Sequence, residues 1–299
     1  MLAPMTVTAV GQGATARERD MRVSTAAETG SEQVGSMREG KLDQKHLLFG
    51  VDGSPNNYDL NLGVTGSGGW RTPRHRHNFD QIRYVIEGTL PYSETESLPQ
   101  GWVGYFPESV YYGPQERSEG LRTMVLQCGG ASGQGYLSVA LREAVNAELA
   151  TVGEFRKGLY HYTDEQGVEQ AVDGSLAIFE RAMGHALEFA EPRYTDVIAM
   201  NPPAFAWLEQ GDAGVQEKWV GTFTERNLKL GFLRLDAGAV YQAGLYPSIE
   251  ILFQITGQVT AGGSKYGPQS GYEFVANEGP VPLEALEATE FFRAVLHTF

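Results

Sequence analysis

Two stretches of this chain share one frame, and that repeat constrains the fold more than any other feature. In the first, Gly69 is followed after five residues by His75, then by His77, Gln81 and Gly88 at intervals of one, three and six residues. In the second, Gly238, Gly244, Tyr246, Glu250 and Gly257 keep the same intervals. A shorter frame follows each copy: Gly101, Pro107, Ser109 and Tyr112 in the first, Gly271, Asn277, Gly279 and Pro282 in the second. Self-similarity of this kind points to two copies of one structural unit.

The residues within the frames read as short strands. Ile82 to Glu87 alternates and is rich in β-branched and aromatic residues, and Gly88 stops it. Similar patterns cover 47–51, 58–64, 102–106 and 121–128 in the first unit, and 228–235, 249–256, 272–276 and 290–297 in the second. Gly66, Ser67, Gly68 and Gly69 read as a loop between strands. They lack the lysine and following helix of a phosphate-binding loop. The glycine-rich run 129–135 lacks the spacing and the βαβ setting of a dinucleotide fingerprint. Between the units, Leu137, Leu141, Val145 and Leu149, and then Leu176, Phe179, Met183 and Leu187, recur at helical spacing. They predict helices over 137–150 and 175–187. The expected organisation is a flexible arm over 1–44, a first β unit over 45–128, a helical or irregular connection over 129–216 and a second β unit over 217–299.

The first copy resembles motif 1 of the cupins, G-x5-H-x-H-x3,4-E-x6-G, with glutamine replacing the glutamate at Gln81. The frame from Gly101 to Tyr112 resembles cupin motif 2, G-x5-P-x-G-x2-H-x3-N, with Ser109 at the glycine and Tyr112 at the histidine. The second copy keeps the glycines and Glu250 but none of the histidines. The resemblance implies a mainly β protein of two tandem jelly-roll barrels with a few helices between them, the C-terminal barrel degenerate. It covers about residues 45–128 and 217–299.

Cupin metal sites gather three histidines and a glutamate around iron, manganese, nickel, copper or zinc. By resemblance, the corresponding residues here are His75, His77, Gln81 and Tyr112. Two histidines two apart in an extended segment face the same way, and converging imidazoles suit a divalent transition metal. Glutamine offers only a neutral carbonyl, and tyrosine must lose a proton near pKa ~10, so both replacements weaken the site. The other reading is a metal-free pocket in which the four residues are hydrogen-bonded to one another. His75, His77 and Tyr112 are the candidate catalytic groups, with Gln81 and Arg83 as candidate substrate-binding groups. Arg83 is placed to neutralise an acidic substrate. Arg74 and Arg76 alternate with the histidines and are expected to face outward.

Three functions fit these residues. One is a metal-dependent, dioxygenase-like oxidoreductase acting on a small organic molecule. Another is a metal-free isomerase, cyclase or lyase with histidine as base and Tyr112 as acid. The third is a non-catalytic small-molecule-binding cupin. A formal charge of −14 over 299 residues argues against nucleic acid as partner. No apolar run is long enough to span a membrane. No secretory signal is apparent in the sequence, so the expectation is a cytoplasmic protein. The single cysteine, Cys128, forms no intrachain disulfide and is expected to be buried in a strand. His161 and His185 are expected to be structural or solvated, and His297 partly exposed. The resemblance also implies pairing into homodimers.

Overall fold

The computed structural model describes residues 21–34 and 38–299. Two large antiparallel sheets dominate it. The first contains, in spatial order, Ile198–Met200, Val103–Phe106, Phe79–Glu87, Arg122–Gly129, Tyr58–Thr72, Glu39–Phe49 and Glu32–Gln33, with Gln115–Arg117 pairing the end of Tyr58–Thr72. The second runs Arg22–Thr25, Ser270–Phe274, Glu250–Thr256, Thr289–Val295, Leu228–Leu235, Val215–Phe223 and Leu208–Glu209. A four-stranded sheet, Val240–Ala243, Val281–Ala285, Val259–Ala261 and Ser264–Tyr266, completes the second barrel. The two-barrel, mainly β reading of the repeat is what the structure contains.

The period of two along each strand explains how the barrels meet. On Phe79–Glu87, Ile82 and Tyr84 turn toward the second barrel, whereas Gln81, Arg83 and Val85 turn into the first. Leu60, Met124 and Leu126 join Ile82 on the shared face and pack with Leu230, Phe232, Phe253 and Phe292 of the second sheet. Each such side chain contributes about 1.5–3 kcal/mol when fully buried. Cys128 lies in this layer, 1% exposed, as expected.

The expected arm is a structural strand over its described part. Arg22–Thr25 pairs with Ser270–Phe274 in register Arg22↔Glu273 to Thr25↔Ser270. Arg22 Nε donates to Glu273 Oε1 at 2.9 Å, and its Nη2 reaches the Tyr58 hydroxyl of the first barrel at 3.1 Å. Residues 39–44 belong to the strand Glu39–Phe49. Four residues are too few for alternation to announce a strand, so Arg22–Thr25 carried no signal. The rest of the expected arm, residues 1–20 and 35–37, lies outside the described residues. In the other direction, Ile198–Met200 from the connecting segment pairs with Val103–Phe106.

The segment 66–69 is not a loop but part of the long strand Tyr58–Thr72, which is irregular there and pairs again through Trp70↔Arg117. Gly69 has φ +78, and a Cβ on it would meet the Arg117 carbonyl oxygen at 2.6 Å. Glycine permits that close passage.

Helices form over Val139–Leu149 and Gly174–Met183. Ser138 caps the first by accepting from Leu141 N at 3.2 Å. Asp173 caps the second from Ser175 N and Leu176 N, and Gly184 ends it at φ 74. A three-stranded sheet, Glu154–Arg156, Leu159–Thr163 and Glu169–Asp173, lies between them and was not expected. Val145, Leu149, Tyr160 and Ile178 form its small core with the helices. Phe179 stacks on Phe79 with ring centroids 5.4 Å apart, which seats the second helix on the first barrel. Neither helix is long and apolar enough to cross a membrane.

His297 is 2% exposed, not partly exposed as expected. The chain end turns into the space between the barrels. There the His297 carbonyl accepts from Ser248 Oγ at 2.7 Å and Asn56 Nδ2 at 2.6 Å, and its ring meets Asp80 at 3.2 Å. His161 is half-buried beside Glu169, and His185 is exposed.

The second barrel holds no free polar cluster at the repeat position. Glu250, 0% exposed, accepts from Tyr241 at 2.8 Å, Gly244 N at 2.9 Å and Arg293 Nε at 2.8 Å. Arg293 also donates to Glu217 at 3.1 Å and Tyr246 at 2.8 Å. Burial works against the Arg293 charge, but the carboxylates and tyrosines around it outweigh burial and hold its pKa raised. Removing one partner of such a pair leaves the other charged and dry. Arg293→Met is therefore expected to lose about 3–5 kcal/mol of stability. Urea unfolding checks this, and a loss below about 1 kcal/mol, the size of a surface pair, would contradict it.

Candidate functional site

The site forms where two extended segments cross-pair. His75 and Tyr112 exchange backbone hydrogen bonds at 3.0 Å in both directions, so their side chains emerge side by side. His75 and His77 are not in a regular strand, since His75 forms only this single bridge. Ser109 anchors the turn before Tyr112 by donating its N–H to the His77 carbonyl at 2.7 Å. It does so at φ 68, a conformation that favours glycine.

His75, His77, Gln81, Arg83 and Tyr112 all line one cavity of about 110 Å³ in the first barrel. The Tyr112 hydroxyl is 3.0 Å from His75 Nε2, 3.0 Å from Gln81 Nε2 and 3.3 Å from Arg83 Nη2. Donor and acceptor roles follow from chemistry. His75 Nδ1 lies 2.7 Å from the Pro73 carbonyl, which only accepts, so Nδ1 carries the proton. Neutral His75 then presents a lone pair at Nε2, and the Tyr112 hydroxyl donates to it. Arg83 Nη2 lies 2.6 Å from Gln81 Oε1, and a guanidinium only donates. The Gln81 carbonyl therefore faces Arg83 and its amide N–H faces Tyr112.

Three arginines were missed by the sequence reading. Arg117 lines the cavity beside Arg83, and the two share the Gln115 carbonyl at 3.1 and 3.2 Å. Arg38 and Arg142 complete the wall. Gln115 and Arg117 alternate within Gln115–Arg117, just past Tyr112, and that alternation was the available signal. Arg38 and Arg142 come from outside the repeats and left none. Arg74 and Arg76 face away as expected, both over the Tyr111 ring at 4.5 and 4.8 Å.

The cavity is cationic. Arg83 and Arg117 are 5% and 9% exposed, and among the described residues neither has a carboxylate within salt-bridge distance. The Nε–H of each is buried without a hydrogen-bond partner. Burial, then the Arg83 charge, pushes Arg117 down to about 9, so it remains cationic at neutral pH; burial lowers Arg83 as well. Burial, then the Arg38 guanidinium, lowers His75 to about 3. Burial and the neighbouring His75 push His77 well below its usual value. The His77 ring stacks on Phe79 at 4.5 Å, and its nitrogens have no protein hydrogen bond among the described residues. Burial raises Tyr112, while Arg83 and Arg117 pull it back.

No protein-family profile matches this sequence, and no curated protein matches it significantly. Solved structures do. A Nostoc punctiforme PCC 73102 protein, provisionally described as a dioxygenase, superposes with TM-score 0.62 at 12% identity, covering 94% of this chain and 84% of its own. The oxalate decarboxylase of Bacillus subtilis superposes with TM-score 0.54 at 14% identity, covering 93% and 77%. The chain folds as a bicupin. At these identities the likeness is one of fold. One structure of the Bacillus enzyme is described by its Mn(II) centres, so the residues of this bicupin need testing against a metal.

They do not fit one. Among the described residues, no group of three or more His, Cys, Asp or Glu side chains is placed to hold a metal. Of the four corresponding positions, His75 has committed its lone pair to Tyr112 and Gln81 has committed its carbonyl to Arg83. Tyr112 is protonated, and only His77 keeps a free lone pair. A dication beside Arg83 would also meet a repulsion on the order of several kcal/mol at an effective dielectric of about 20. Elemental analysis of untagged protein is expected to find substoichiometric transition metal. The Gln81→Glu/Tyr112→His variant, which restores carboxylate and imidazole, is expected to gain it; full occupancy in the wild type would show that the residues do hold a metal.

The His75 tautomer also has a stability signature. Its pKa is about 3 in the fold and near 6.5 unfolded, so between those values the unfolded chain binds the extra proton. Stability is then complete above pH 6.5 and falls as pH drops toward 3, by up to about 1.4 kcal/mol per unit. His75→Gln is expected to flatten the slope of unfolding free energy between pH 6.5 and 5. Identical slopes in variant and wild type would show that His75 is not held neutral.

Proposed function

We propose that this bicupin is an enzyme that acts on a small organic acid by acid–base chemistry, without a metal step. The observation that carries the reading is the pair Arg83 and Arg117, buried at the cavity wall without a carboxylate. A buried cation without a counter-charge is costly, and an anionic ligand would remove that cost. A carboxylate held there lies beside His77 and the Tyr112 hydroxyl, which line the same 110 Å³ cavity. That size suits a compact substrate.

The residues take distinct roles. Arg83 and Arg117 bind and orient the carboxylate. His77 is neutral with unengaged ring nitrogens, so it can accept a proton from the substrate; an anion beside it also offsets the guanidiniums that weaken it as a base. Tyr112 delivers a proton by turning its hydroxyl from His75 Nε2 to the substrate, and the oxygen left behind is stabilised by Gln81 Nε2 and Arg83 Nη2. His75, locked by Pro73, positions that hydroxyl. Moving a proton between two carbons, or eliminating a group next to the carboxylate, needs no more than this. The reaction class is an isomerase, cyclase or lyase.

A metal-dependent dioxygenase is the second reading. It is favoured by the Nostoc fold neighbour and by two histidines in one cavity, and disfavoured by the engagement of His75 and Gln81.

Calorimetry with a panel of small carboxylates tests the proposal. Arg83→Met is expected to weaken the bound acid by about 10–100-fold, the value of a charge-assisted contact. Tyr112→Phe should leave affinity within a few-fold and abolish conversion of that acid, with chelator making no difference. Conversion that requires added iron and dioxygen and stops with chelator would overturn the proposal in favour of the dioxygenase.

A further inference from the structure

A second cavity, of about 210 Å³, lies beside the first and shares Val34, Gln44 and Arg142 with it. The partition between them is therefore made of three side chains. The new cavity adds His46, Val139, Glu143 and Asn146.

Its polar groups are placed to meet a ligand. His46 Nδ1 lies 2.8 Å from Asp59 Oδ1, a carboxylate 0% exposed. Asp59 Oδ2 accepts from Asn61 Nδ2 at 2.7 Å, and Asn61 Oδ1 accepts from Gln44 Nε2 at 3.2 Å. This chain fixes His46 Nδ1 as the protonated nitrogen and leaves Nε2 as an acceptor toward the cavity. No protein group bonds that nitrogen among the described residues. Two more atoms are buried and unpartnered: Arg142 Nε, a donor, and Asn146 Oδ1, an acceptor. Buried polar atoms without partners are rare in a folded protein. Two of them, one donor and one acceptor, line one space together with His46 Nε2.

We propose that this second cavity is the far half of the binding site and takes the uncharged hydrogen-bonding end of an elongated carboxylate. The inference rests on Arg83 and Arg117 as the carboxylate seat. The far group is an alcohol or a carboxamide, because it must accept from Arg142 Nε and donate to Asn146 Oδ1 or His46 Nε2. A second carboxylate is excluded, since it cannot donate and would lie beside Glu143 and near Asp59. Val34 borders both cavities and Val139 lines the second, so the part of the ligand passing them is hydrocarbon. His46 is a specificity-determining residue, held in place by Asp59.

The test is calorimetry of straight-chain alkanoates of four to eight carbons against their terminally hydroxylated counterparts. The proteins are wild type, His46→Leu, Asn146→Leu and Arg83→Met. At one chain length the hydroxyl is expected to tighten binding by about tenfold in the wild type. His46→Leu and Asn146→Leu should each erase that advantage, with circular dichroism confirming that each variant is folded. Arg83→Met should weaken both series. Equal binding of the two series at every length, with Arg83 dependence intact, overturns the second cavity and leaves the carboxylate seat standing. Failure of the wild type to bind either series overturns both.

Discussion

The packing of the two large sheets against each other sets the rest of the structure. Because Ile82 and Tyr84 are committed to that shared layer, the period of two sends Gln81 and Arg83 into the first barrel. The same alternation on Arg122–Gly129 sends Met124 and Leu126 outward and Val125 and Gln127 toward the cavity. A slip of one residue would bury a guanidinium between the barrels and empty the pocket. Apolar burial between barrels thus fixes the register on which the polar site depends.

Within the pocket, one hydroxyl organises the polar groups. Tyr112 stands where the resemblance places a metal-binding histidine; its hydroxyl donates to the His75 lone pair that a metal would have taken and accepts from the Gln81 amide. The second barrel reaches the same end differently. There Glu250 is kept, and Arg293 supplies the positive charge, so the cluster closes on itself with every strong partner internal. The contrast between the barrels lies in charge balance. One neutralises its buried arginine with two carboxylates, and the other leaves Arg83 and Arg117 facing a cavity without one.

Much of this was legible in the sequence, for identifiable reasons. Glycine spacing and alternation disclosed both barrels, because turns and strand periods are local properties. The same spacing put His75, His77, Gln81 and Tyr112 in one place, and all four line the cavity. What spacing could not convey was direction, namely which atom of Gln81 faces Arg83 and which nitrogen of His75 keeps its proton. Those depend on Pro73 and Arg83 as partners in space. Arg38 and Arg142 were invisible because they enter from the segment before the first barrel and from a connecting helix. Arg22–Thr25 and Ile198–Met200 were missed because short strands draw their stability from the sheet they join rather than from their own pattern.

The reciprocal placement of those two short strands has a consequence for synthesis. Arg22 is made 251 residues before Glu273, its partner. At about 5–20 residues per second, the ribosome takes roughly 10–50 s to deliver the far strand. Throughout that interval the first barrel can close its own sheet, but the N-terminal strand has nothing to pair with. The edge at Ser270–Phe274 is in turn among the last parts of the chain to emerge, and its mate is already waiting. The strand Arg22–Thr25 is thus held in reserve until Ser270–Phe274 has been made, and that edge of the sheet stays open until then.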